Sequence, residues 1–145
     1  MPDIDDLESA EDYLAWAVAL WAGAKRIDPA ETRGLIIPFY LLVGFALECA
    51  LKAFLVHSGV PKTELKSHRL RHDLNMLFGR AIEHGFKPRP TERQIIEATS
   101  EPHREFRFRY PGGPSHPSTT RTRLRLSSHR ILLDNVRQSA GIGTV

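Results

Sequence analysis

Glu48 and Lys52 stand four residues apart inside FYLLVGFALECALKAFLVHSG, residues 39–59, a stretch that is otherwise almost wholly apolar. Opposite charges at i and i+4, with the acid on the N-terminal side, are the favoured orientation on a helix. A carboxylate and an amine so placed can pass a proton in principle. Within so apolar a segment they more often form a structural polar pair, at the edge of a core or held there by neighbouring helices, and we read Glu48 and Lys52 that way. Residues 106–110, Phe-Arg-Phe-Arg-Tyr, interleave rings with cations. Such a stretch can stack bases and pair phosphates, or its rings can anchor a loop while Arg107 and Arg109 face a polyanion. His68, Arg69, Arg71, His72 and Asp73 cluster ahead of a third helical pattern. Asp73 suits a helix N-terminus, and Arg69 or His72 is the natural neighbour for the Glu48–Lys52 pair. A metal site needs ligands that converge, whereas the other histidines are scattered along the chain and the one cysteine, Cys49, sits in the apolar helix. Neither a metal nor another cofactor is therefore expected. PGGP at 111–114 lacks the Lys-Ser/Thr of a phosphate-cradling loop.

The elements that must position these groups belong to one domain. A chain of 145 residues is the usual size of a single domain and can bury a real core. Residues 35–47 form an apolar run of thirteen residues without a charge, and it contains Pro38. That falls short of the roughly 18 apolar residues of a membrane span, so a buried helix is expected instead. The acidic N-terminus lacks the basic segment of a secretory signal, and a lone buried cysteine suits the cytoplasm. Charge is uneven. Residues 1–61 carry 4 Lys+Arg against 9 Asp+Glu, whereas residues 62–145 carry 16 against 8 and six of the seven histidines. A basic second half could meet nucleic acid, or could pack on the acidic first helix or a partner subunit.

Leu7, Ala10, Leu14, Ala17, Val18 and Trp21 recur at helical spacing and predict a first helix over residues 5–26. The central helix follows, from near Pro38 to a C-terminal Gly59. Residues 60–67 read as a polar connection. Leu70, Leu74, Leu77, Phe78, Ala81 and Ile82 mark a third helix that leaves through His84-Gly85. Thr91 with Gln94 gives a capping-box pattern for a fourth helix reaching about Ser100. Residues 111–117, PGGPSHP, read as a surface loop. Residues 117–140 read as a last helix, and 141–145 as a frayed tail. The expected fold is all-α, a bundle of four to five helices in a single domain spanning 1–145.

In the order ALECALKAFLVHSG (46–59), HDLNMLF (72–78) and FRYP (108–111), the chain resembles the HEPN superfamily, the higher eukaryote and prokaryote nucleotide-binding domains. The resemblance covers residues 36–137. It implies an up-and-down bundle, commonly a homodimer. For active branches it implies metal-independent RNA cleavage, as the toxin of a toxin–antitoxin pair or in phage defence, with an antitoxin or nucleotidyltransferase as partner.

The family's ribonuclease signature is an Arg followed, after four to six residues, by a His near the start of the last helix. Arg123 and His129 match it with five residues between; Arg109 and His116 match with six but run through the PGGPSHP loop. The polar residue that usually follows the Arg is replaced by Leu124 or Tyr110. In this chemistry His129 would move a proton at the ribose 2′-hydroxyl or the leaving oxygen, and Arg123 would stabilise charge on the phosphate. The competing reading makes Arg121, Arg125 and His129 an exposed basic stripe, which with Arg107, Arg109 and Arg130 would bind nucleic acid. Two functions thus follow: a ribonuclease working across a dimer cleft, or a non-catalytic module binding nucleic acid, nucleotide or protein through its basic half.

Overall fold

The computed structural model describes residues 9–27, 36–67, 70–104, 134, 135 and 138. Among them lie five helices and no strand: α1 (Ala10–Arg26), α2 (Ile36–His57), α3 (Lys62–Leu65), α4 (Leu74–Glu83) and α5 (Pro90–Arg104). They form an all-α helical bundle. Helix α2 is its axis, packed by α1, α4 and α5.

Helix α1 starts at a capping box. Ser9 Oγ accepts from the Asp12 backbone N–H at 3.1 Å, and the Asp12 carboxylate accepts from the Ser9 N–H. The helix therefore begins at Ala10 and not at residue 5 as the spacing predicts, because Ser9 is extended and takes the cap; residues 1–8 lie outside the described residues. Ala10, Ala17 and Ala24, seven residues apart, are all buried and let α1 lie close along α2. Tyr13, Leu14 and Leu20 fill the same face.

Every residue of α2 from 43 to 55 is buried. A helix apolar on all sides has no solvated face to present, so the bundle must surround it. The segment Pro38–His57 is long and apolar enough to cross a membrane, yet 72% of it is buried against the other helices. It is the core helix that its sequence implies.

Two helices end in the same way. After α2, Val60 N–H bonds Leu55 O and Gly59 N–H bonds Val56 O; after α4, Phe86 N–H bonds Ala81 O and Gly85 N–H bonds Ile82 O. Both are Schellman closures, and both glycines hold the left-handed backbone this requires, with φ of +90° and +96°. Val60 and Phe86 turn inward after them, and Phe86 meets Phe54 and Phe78 edge-on at 5.3 and 6.2 Å between ring centroids.

Further boundaries differ from the sequence expectation, and Leu70 stands in the turn before α4, which begins at Leu74. The 60–67 connection contains a one-turn helix, α3, tied to α4 by the Arg80 guanidinium on Glu64. Helix α5 begins at Pro90, not at a Thr91 cap: Pro suits the first helical position, and Glu92 accepts from the Arg89 N–H at 3.2 Å. It also runs a full turn past Ser100, through Pro102 to Arg104. Of the last expected helix, Asp134, Asn135 and Gln138 are helical. Asn135 Nδ2 donates to both Lys87 O and the buried Glu92 carboxylate, which pins this segment to the start of α5.

Asp73 caps α4, its carboxylate accepting from Met76 N–H at 3.1 Å, while Ser100 Oγ of α5 accepts from Asn75 N–H. Asp73→Ala should therefore lower stability by about 1 kcal/mol. Urea unfolding of the two proteins side by side checks this; an unchanged midpoint would show that the cap contributes nothing.

Candidate functional site: a buried carboxylate shared by two histidines and a lysine

Glu48 is fully buried at the centre of α2. An ionised carboxylate in such a place must be paired and hydrogen-bonded, and here three partners converge on it. Lys52 Nζ, one turn on, lies 3.3 Å from Oε2. His72 Nδ1 and His103 Nε2 both meet Oε1, at 2.7 and 3.0 Å. A carboxylate only accepts, so both ring nitrogens facing it carry protons. Exposure rises outward through the group, from 0% at Glu48 through 1% at Lys52 and 4% at His103 to 8% at His72.

Each partner comes from a different part of the chain. Lys52 shares the helix. His72 sits in the turn before α4 and holds φ of +58°, the one left-handed non-glycine backbone among the described residues. Such a conformation costs a side-chain-bearing residue about 1–2 kcal/mol and persists where its surroundings over-determine it. Here the ring is held by Glu48 and by the edge of Phe45, 6.1 Å away between centroids. His103 lies in the last turn of α5, one face down from Thr99 and Ser100, and its ring meets Phe45 edge-on at 4.8 Å. Gly44 makes room for it. A Cβ added there would collide with His103 Nδ1.

Burial by itself pushes the Glu48 carboxyl up. The hydrogen bonds from His103 and His72, together with the Lys52 charge, outweigh that and hold it well below the ordinary carboxylate value of 4.5. The neighbouring Cys49 thiol goes the other way: burial raises it, and the Glu48 charge adds to the effect. It is an inert core thiol, as its place in the apolar helix implies.

The structure thus sets Glu48 and Lys52 within a larger network and places on Glu48 one of the two neighbours expected for the pair, His72. It corrects the expectation that the histidines beyond His68 and His72 are scattered: α5 runs past Ser100 and carries His103 back to α2, beside His72 on Glu48. Glu48, His72 and His103 offer ligand atoms within 4.8 Å of one another, a set that could hold a metal ion. His103 is the functional-site residue that the sequence did not single out. Its signal was its register: residues 92, 95, 96, 99, 100 and 103 recur at helical spacing, and all are buried. Arg123 and His129, and Arg107, Arg109, Arg121, Arg125 and Arg130, lie outside the described residues, as do His68 and Arg69. Comparison with family models, with curated proteins and with solved structures finds no match.

Removing one partner of a buried ion pair leaves the other charge uncompensated, at about 3–5 kcal/mol, whereas replacing both can be nearly neutral. Lys52→Met should lower the denaturant midpoint, but Glu48→Leu/Lys52→Met should not recover it, because the double variant also strips the buried His72 and His103 of their acceptor; a double variant as stable as the wild type would contradict the network. Gly44→Ala should cost about 1–3 kcal/mol by driving into His103. The network should also be acid-labile. Because the folded Glu48 titrates below the unfolded carboxyl, its stabilisation is present above about pH 4.5 and drains away as pH falls beneath that. Stability measured from pH 7 to 3 should fall less steeply in Glu48→Gln than in the wild type; parallel curves would rule out Glu48 as a source of the acid sensitivity.

Proposed function

We propose that this chain is a HEPN-like helical module of the cytoplasm that binds RNA through its basic C-terminal half, most naturally as a homodimer. The observation that carries the reading is the charge of residues 105–133. There six arginines, Arg107, Arg109, Arg121, Arg123, Arg125 and Arg130, stand against the single carboxylate of Glu105. Clustered guanidinium groups interleaved with Phe106, Phe108 and Tyr110 suit phosphate pairing and base stacking. The buried network complements this assignment. Its carboxylate is enclosed and fully partnered, which makes it a support that anchors the last turn of α5 directly ahead of the arginine-rich stretch.

A second reading, RNA cleavage without a metal, is favoured by the five-residue interval between Arg123 and His129. Such an enzyme would act as a toxin or phage-defence ribonuclease, with an antitoxin or a nucleotidyltransferase as its protein partner. His129 would be the proton-transfer group and Arg123 the phosphate ligand.

Fluorescence anisotropy with a labelled single-stranded RNA, repeated across salt concentrations, tests the binding. Every phosphate that the protein no longer neutralises flattens the log–log salt slope by about 0.7. The triple variant Arg121→Ala/Arg123→Ala/Arg125→Ala should show weaker binding and a slope shallower by about 2. An unchanged slope would move the RNA-binding surface elsewhere. Incubating the same RNA with protein and chelator separates the two readings. Cleavage by the wild type and none by His129→Ala supports the enzyme; an intact RNA with both leaves the binding module.

A further inference from the structure

The convergence of Glu48, His72 and His103 enters the RNA-binding reading only as a structural support. We propose that these three residues form a binding site for a divalent transition-metal ion, with zinc as the best-suited occupant. The inference does not depend on the nucleic-acid reading, because it concerns a different part of the fold.

Donor chemistry selects the ion. Two imidazole nitrogens and one carboxylate oxygen suit Zn²⁺ and its transition-metal neighbours, whereas Mg²⁺ and Ca²⁺ favour all-oxygen sets. The three donors come from α2, the turn before α4 and the end of α5, and they lie within 4.8 Å of one another. The shared atom is Glu48 Oε1, with His72 Nδ1 at 2.7 Å and His103 Nε2 at 3.0 Å. Ligands about 2.0–2.1 Å from a tetrahedral ion stand roughly 3.3 Å apart, so an ion would need both nitrogens to draw back from Oε1 while staying within the 4.8 Å span that the three donors now occupy.

Lys52 is compatible with this. It holds Oε2 at 3.3 Å and leaves Oε1 as the coordinating oxygen, the outer-shell support that ligating carboxylates ordinarily have. Each imidazole now presents an N–H to Oε1; to present a lone pair to an ion, the proton must leave that ring nitrogen, so binding is coupled to proton movement. A further observation lies on the same face of α5. Thr99, one turn before His103, is 1% exposed, and its hydroxyl has no hydrogen-bond partner among the described residues. Helix geometry makes the two residues neighbours.

Such an ion would clip three separate segments together at the bundle's centre and would stabilise the fold by mass action. The test is a titration of chelator-stripped full-length protein with Zn²⁺ by calorimetry and with Co²⁺ by visible absorption, with thermal unfolding alongside. The expected result is one equivalent of each ion bound, Co²⁺ bands typical of a low-coordinate nitrogen–oxygen site, and a higher Tm with Zn²⁺ but not with Mg²⁺. His103→Ala and His72→Ala should weaken uptake at least about tenfold. The variant His57→Ala/His84→Ala, which removes two exposed imidazoles, should leave it unchanged. If the core variants do not fold, the wild type alone decides. No saturable uptake or no rise in Tm overturns the proposal, as does uptake that disappears with His57 and His84.

Discussion

The Glu48 carboxylate is the constraint around which the rest of this fold is arranged. A full negative charge sits inside a helix that is buried on every side, where an unpaired carboxylate could not persist. Three donors neutralise and satisfy it, and each fixes a different piece of the chain. Lys52 makes the pair local to α2. His72 fixes the turn that feeds α4, and His103 fixes the end of α5. One acceptor thus registers three segments that are separated by as many as 55 residues.

Details that look unconnected follow from that requirement. The left-handed backbone of His72 is strained for a non-glycine residue, and its ring reaches Glu48 from that conformation. Gly44 stands where any larger residue would collide with the His103 ring. Phe45 meets both imidazoles edge-on, and the imidazoles meet each other in the same way. Helix α5 must persist through Pro102 for His103 to arrive at all. Apolar burial holds the bundle together, but it does not distinguish one angular setting of α5 from the next. A hydrogen bond to a fixed carboxylate does distinguish them, and that is the role we assign to the polar centre.

Much of this was legible in the residues. The glycine ends of α2 and α4, each followed by an inward apolar residue, read directly as helix closures. Glu48 and Lys52 stood out because charge within a wholly apolar helix demands a partner, and His72 was named among the candidates. His103 was harder to see. Local patterns end α5 near Ser100, and nothing within a few residues of His103 signals a carboxylate 55 positions away. Only extending the buried register of 92, 95, 96, 99 and 100 by one more turn would have found it. The start of α5 was misplaced for a related reason: Thr91 and Gln94 imitate a cap, but Pro90 at the first position and Glu92 at the third make the real one.

The central claim is that Glu48 and His103 act as a single unit joining α2 to α5. A double-mutant cycle on folding stability, with Glu48→Gln, His103→Gln and the double variant in the same buffer, measures that coupling directly. Residues sharing a buried hydrogen-bond network couple by about 0.5–3 kcal/mol, and we expect a value of about 2 kcal/mol for this pair. Additivity of the two substitutions to within about 0.3 kcal/mol would mean that the carboxylate and the imidazole are neighbours without being partners.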